Sequence, residues 1–231
     1  LIAHPYAKGC ILGVVADGLG GRSGGRKASD QVMLTARQLF ERFEPAKEDC
    51  TRMLRTIVQD AHTVIRLTAI AAEQEPHSTI AVFVVLPDNR CHFMHSGDSR
   101  LYHFRGAALV HRTLDHSYVQ ALVDRGELTE AEAQYHPQSN ILLGCLGAEP
   151  PPPMSHHMIE KLLPGDSLMA CSDGLWHYFT AQELGTVLDG LSPREASQFL
   201  IEKARRRAAG GGDNLSLAIL KLDTSAAAAS A

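Results

Sequence analysis

Residues 78–104 read STIAVFVVLPDNRCHFMHSGDSRLYHF, and this stretch decides the fold. Three runs rich in β-branched and aromatic residues, 78–85, 91–96 and 100–104, are separated by Pro-Asp-Asn and Gly-Asp-Ser. Both separators are turn chemistry: Pro presets φ, Asp and Asn tolerate unusual backbone angles, and Gly tolerates nearly any. Gaps this short leave no room for a crossover helix, so the runs predict antiparallel strands. The apolar piece ALVHR at 108–112 continues the sheet.

Working outward, ILGVVA (11–16) predicts a buried strand that runs straight into Asp17-Gly18. Val32, Met33, Ala36, Leu39, Phe40 and Phe43 form a helical stripe over 28–43. Met53, Ile57, Ala61, Val64, Ile65 and Thr68 form a second over 48–73. Downstream, Ser117 is placed to cap a helix reaching Gly126, and Thr129/Glu132, Thr180/Glu183 and Ser192/Glu195 have capping-box spacing. Pro193 falls at the first helical position, where its missing N–H costs nothing. MSHHMIEKL (154–162) reads as an edge strand, and SLMAC (167–171) and DNLSLAIL (213–220) read as core strands. The Pro-rich stretch 150–153 is a loop too short to link domains. Strands and helices follow without regular βαβ alternation. That order predicts an α+β fold with a two-sheet core and helices outside it. Residues 1–223 are expected to form one domain, with an alanine-rich frayed tail at 224–231.

The 231 residues are 45% hydrophobic and 21% charged with a formal net charge of -4, which gives no reason to expect nucleic-acid or membrane binding. No run approaches the ~18 apolar residues of a membrane span, and no secretory signal pattern opens the chain. The five cysteines are odd in number and scattered, which argues against a disulfide framework or thiolate zinc site and predicts a reducing, cytoplasmic setting. Cys171 follows an apolar run and reads as a small core residue.

Asp17-Gly18, Asp173-Gly174 and Asp213-Asn214 each sit at the end or start of an apolar strand. Strand ends are rigid places from which short carboxylates can reach a common point, and carboxylates suit hard ions such as magnesium or manganese. Any one Asp-Gly is ordinarily just a turn. The longer strings say more. In order they are VVADGLGG (14–21), HSGDSRLYHF (95–104), LDHS (114–117), HPQSNILLGCLG (136–147), CSDGLW (171–176) and GGGDNLSLAIL (210–220). This series resembles the metal-dependent protein phosphatases of the PPM, or type 2C, family in their compact bacterial form, over about residues 11–221.

The resemblance implies a central antiparallel β-sandwich flanked by helical layers (α-β-β-α) and hydrolysis of phosphoserine and phosphothreonine at a binuclear manganese or magnesium centre. It implies that Asp17 bridges two metals, that Gly18 gives one of them its carbonyl, and that Asp173 and Asp213 hold the other. Asp98 is the implied ligand of a third ion, and Asp115 and Asn214 are implied to orient loops and waters around the centre. A phosphorylated protein, the target of a bacterial serine/threonine kinase, is the implied substrate, and a monomer the implied state. No C-x5-R signature supports a cysteine nucleophile.

The sequence also departs from the family. The segment LIAHPYAKGC before the first long strand holds neither the Arg nor the acid usual there, which predicts that a native upstream segment is missing. Arg22 stands where many relatives carry His; it is either a phosphate ligand or a solvated residue at a helix entry. His177 stands where the family usually has an acid, beside the implied third-metal site. No residue is assigned as general acid; His62 and His116 read more simply as structural or surface histidines. These departures feed the alternative of a weak or inactive pseudophosphatase that binds a phosphoprotein or regulator.

Overall fold

Two antiparallel sheets stack face to face in the computed structural model, which describes residues 1–19, 21–72 and 75–223, without the side chains of 21–23 and 70–72. The expected alanine-rich tail therefore lies outside the described residues. The first sheet has the order β1 (Ile2–Ala3), β2 (Ile11–Val15), β5 (Ile80–Val85), β6 (Cys91–Ser96), β9 (Ser155–Ile159). The second has the order β11 (Leu217–Lys221), β10 (Asp166–Cys171), β7 (Arg100–Arg105), β8 (Ala108–Arg112). A short pair, β3 (Gly18–Leu19) and β4 (His77–Ser78), lies beside the first sheet's end. MSHHMIEKL does supply an edge strand, paired to β6 from Cys91↔Ile159 to His95↔Ser155.

The period-2 rule explains why β5 is apolar throughout. Ile80, Val82 and Val84 face one way and pack with Val32, Ala36 and Phe40 of α1 (Gly21–Arg42) and Leu54, Ile57 and Ile65 of α2 (Cys50–Ala72). Ala81, Phe83 and Val85 face the other way and meet Leu101, Leu168 and Ala170 between the sheets. A strand covered on both faces loses the polar alternation of a half-exposed one. On the outer face of the second sheet, Tyr102, Phe104 and Met169 pack with Leu184 and Leu188 of α6 (Ala181–Gly190) and Leu200 of α7 (Pro193–Arg207). The layers are thus α-β-β-α. Gly13, opposite Phe83, has no side chain because the Phe83 ring lies over it: a Cβ there would come within 2.1 Å of the ring.

The caps follow the sequence. Ser117 caps α3 (Tyr118–Asp124), and full capping boxes open α4 (Glu130–Gln134), α6 and α7. All five cysteines are free and buried. Two boundaries differ from expectation. The first helix begins at Gly21, well before the apolar stripe, because its first turns face the β3–β4 end of the molecule instead of the core. The last strand begins only at Leu217; residues 213–216 are loop, since they fix the turn at Ser172 in place of a sheet neighbour. Among the described residues no helix is long and apolar enough to cross a membrane.

Candidate metal centre

Four segments flanking the core strands deliver carboxylates to the same end of the sandwich. Asp17 follows β2, Asp98 sits in the β6–β7 turn, Asp173 opens α5 (Asp173–Trp176) directly after β10, and Asp213 lies in the loop before β11. Their convergence shows in how they act on one another. Asp17 is pushed up to about 7, first by burial, then by the charge of Asp173 and a hydrogen bond to it, then by Asp213. Asp98 is also pushed up to about 7, by burial, then by Asp173, Asp115 and Asp17. The strongest charges on each are thus carboxylates, and Asp173 acts on both.

Backbone clamps set these turns. The Asp17 N–H donates to Thr79 Oγ1 at 3.1 Å, and the Asp17 carbonyl accepts from the Thr79 N–H at 2.8 Å and Ser78 Oγ at 3.0 Å. Thr79 Oγ1 also shares a hydrogen with Ser99 Oγ at 2.7 Å, which ties the Asp17 turn to the Asp98 turn. Gly97 holds φ +100°, and a Cβ on it would come within 2.7 Å of Thr79 Cγ2. On the other sheet, the Ser172 N–H donates to the Ser216 carbonyl at 3.0 Å and Ser216 returns to Ser172 Oγ at 3.1 Å. A Cβ on Gly174 would approach the Asn214 carbonyl to 2.3 Å, so that turn and the 213–216 loop lie backbone against backbone. Gly18 is similarly close to Gly25 of α1: its Cβ would meet the Gly25 carbonyl at 2.0 Å.

Asp115 and Arg100 form a bidentate pair at 2.8 and 2.7 Å, with side-chain exposures of only 8% and 15%. The guanidinium lies 3.3 Å over the Trp176 ring, whose Nε1–H donates to the Asp98 carbonyl at 2.9 Å. Asp115 thus occupies the nearby cation and steadies the Asp98 turn through it.

The remaining residues singled out in the sequence fall as follows. Asn214 contributes its backbone carbonyl to the contact with Gly174 and Ser172. His177 stacks on Trp176 with centroids 4.1 Å apart and planes 18° apart, on the wall of a cavity of about 320 Å³ that Arg100 and Asp115 also line. The side chain of Arg22 lies outside the described residues. His62 accepts from the Gly147 N–H at 3.0 Å, and His116 exchanges hydrogen bonds with the Gly97 backbone, so both are occupied in holding loops. Sequence reasoning missed Thr79, Ser99 and the Arg100–Trp176 stack. The GDSR string contained two of these residues without any signal of what they would touch.

Among the described residues, no three His, Cys, Asp or Glu side chains stand around one point as a finished cage. The charge of Asp173 beside Asp17 instead raises the Asp17 carboxyl, a repulsion that a cation between them would relieve. A short-stemmed, oxygen-only, mutually repelling donor set fits hard divalent ions.

Residues 3–207 match the sequence profile of the family described as protein phosphatase 2C. Among curated proteins the chain is 32% identical over 216 residues to the serine/threonine protein phosphatase PstP of Mycobacterium tuberculosis, covering 91% of this chain but 40% of that protein. It is 31% identical to a putative protein phosphatase 2C-type of Streptococcus pyogenes, covering 92% of this chain and 86% of that one. Among solved structures, the M. tuberculosis phosphatase PstP/Ppp superposes with a TM-score of 0.81 at 28% identity, over 96% of this chain and 94% of the other. The PstP catalytic domain in complex with two manganese ions gives 0.76 at 29% identity, over 90% and 85%.

Proposed function

Because the chain belongs to the protein phosphatase 2C family, we propose that it hydrolyses phosphoserine and phosphothreonine in proteins at a binuclear manganese or magnesium centre. One observation carries the reading: Asp173 stands in electrostatic contact with both Asp17 and Asp98, with Asp213 acting on Asp17 as well. Asp17 would bridge two ions, the Gly18 carbonyl would complete one shell, and Asp173 and Asp213 would hold the second ion. Asp98 would serve a third. When bound, such ions lower the pKa of water toward neutrality and offset charge on the phosphoryl oxygens.

The chain's own part is positioning. The Thr79–Ser99 hydrogen bond fixes the separation of the Asp17 and Asp98 turns. Asp115 keeps the Arg100 guanidinium from neutralising the carboxylates, so their charge is left for ions. The substrates we infer are phosphoproteins made by a serine/threonine kinase, met in the cytoplasm by a monomeric enzyme. The alternative of a catalytically weak, phosphoprotein-binding module finds its support in His177, which packs on Trp176 where an acid is usual.

The test is dephosphorylation of a phosphothreonine peptide with manganese and with EDTA, for wild type, Asp17→Asn and Asp213→Asn. Manganese-dependent turnover that both variants lose by at least about 100-fold, with folds intact by circular dichroism, is expected. Turnover undiminished in chelator, or variants within a few-fold of wild type, would falsify the assignment.

A further inference from the structure

Three donor atoms from three elements meet on the helix-covered face of the first sheet, away from the carboxylates. Thr51 lies in the first turn of α2, His92 is the second residue of β6, and His156 is the second residue of the edge strand β9. His92 Nδ1 and His156 Nε2 are 3.2 Å apart, and Thr51 Oγ1 is 3.3 Å from each. This triangle is nearly equilateral. His92 is six residues from Asp98 along β6 and its turn, on the order of 15–20 Å at strand rise.

We propose that Thr51, His92 and His156 form a binding site for one divalent transition-metal ion of the zinc class, separate from the carboxylate centre and independent of the phosphatase reading. Ligands at about 2.1 Å stand about 3.4 Å apart in a tetrahedral shell and about 3.0 Å apart in an octahedral one. The observed edges fall between those values. An ion seated roughly 1 Å above the triangle's plane would therefore reach all three atoms without moving them. Because the third donor is a hydroxyl, the group is not one of three His, Cys, Asp or Glu side chains.

Ligand chemistry separates the two sites. Imidazole nitrogens favour zinc, nickel or copper, whereas the carboxylates favour magnesium or manganese. Access is open: His156 is exposed and Thr51 half-exposed, so solvent can complete the shell, while buried His92 anchors it. The surrounding charges are mixed. Asp49 acts on both rings and Asp88 on His92 in the favourable sense, while Arg90 and Arg55 act against. A bound ion would cross-link the start of α2 to β6 and to an edge strand 105 residues further on, pinning the sheet edge that is otherwise held from one side only.

The test holds the carboxylates in excess manganese and titrates zinc against a chromophoric chelator. Wild type should retain one zinc equivalent that His156→Ala and His92→Gln each weaken at least tenfold, with Thr51→Val intermediate. His156 is exposed, so that variant folds even if His92→Gln does not. Copper loaded under the same conditions should show pulsed-EPR coupling to two imidazoles in wild type and one in His156→Ala. Zinc binding that is absent, or unchanged in His156→Ala, would overturn the proposal and leave the triangle as a hydrogen-bonded contact only. Copper without paired imidazole coupling would overturn it equally.

Discussion

Removing Arg100 should harm the apo-protein more than removing its partner Asp115, although the two share one ion pair. Breaking a buried pair from one side costs about 3–5 kcal/mol because the survivor keeps an uncompensated charge. Here the survivors have different neighbours. In Arg100→Met, the Asp115 carboxylate is stranded beside Asp98, on which it already acts unfavourably, and the cation–π contact with Trp176 is lost as well. We expect a loss near the top of that range, about 4–5 kcal/mol. In Asp115→Asn, a stranded guanidinium keeps its place over Trp176, faces carboxylates that welcome it, and can still donate to the amide oxygen. A loss of about 1–3 kcal/mol is expected. The double variant should be nearer the milder single than the sum, with a coupling of about 2–3 kcal/mol. The assay is equilibrium urea unfolding of all four proteins in EDTA, repeated with manganese. Manganese should narrow the Arg100→Met deficit, because dications relieve the crowded negative charge. If Asp115→Asn is as costly as Arg100→Met in EDTA, or the two effects simply add, the electrostatic picture of this end of the sandwich is wrong.

Gly18→Ala should destabilise the fold by about 1–3 kcal/mol and lower manganese affinity, since the new Cβ meets a helix carbonyl and not a yielding side chain; thermal unfolding and a manganese titration check both. Asp166, with no side-chain exposure, accepts from Arg105, from His103 and from the Leu163 N–H at 2.9–3.0 Å. Burial alone would push its carboxyl up, but Arg105, the Leu163 N–H and His103 together hold it below the usual range. A carboxyl depressed on folding stabilises above its unfolded value near 4, and this is lost as pH falls through the folded value. Asp166→Asn should therefore cost about 2–3 kcal/mol at pH 7, and the gap to wild type should shrink below about pH 4 in pH-dependent urea unfolding; a constant gap would contradict this. His177→Ala should lose only the stacking contact, about 0.5–1.5 kcal/mol, and leave the manganese activation curve superimposable on wild type; a displaced curve would make His177 part of the ion site.

The layered fold was legible because each strand of the core betrays its two-sided burial. IAVFVV admits no other arrangement once the stripes of α1 and α2 are seen beside it. The capping boxes at Thr129, Thr180 and Ser192 worked because their two hydrogen bonds are local and need no tertiary information. The start of α1 was illegible for the opposite reason: Gly25 is a poor helix former whose close backbone approach to Gly18 sequence spacing cannot reveal. The aspartates were legible in the sequence as a series of motifs, although Asp213 lies in a loop four residues before its strand and not at the strand's start. What holds them was not, because Thr79–Ser99 and Arg100–Asp115–Trp176 join residues 15 to 76 apart through side chains that read as ordinary strand, turn and helix members.

The four carboxylates come from positions 17, 98, 173 and 213, and the last is carried on the loop before the final strand. During synthesis the first three are made while β11 is still unmade. Closing so wide a loop is slow compared with forming local helices, and nothing local rewards it in advance. Ion capture should therefore be the closing event of biogenesis. A chain stalled before Asp213 would lack the final strand and, on the proposed assignment, one carboxylate of the centre. On the same assignment, hydrolysis would double as a completeness check on the nascent chain, because a product ending short of Asp213 would lack one of the four carboxylates.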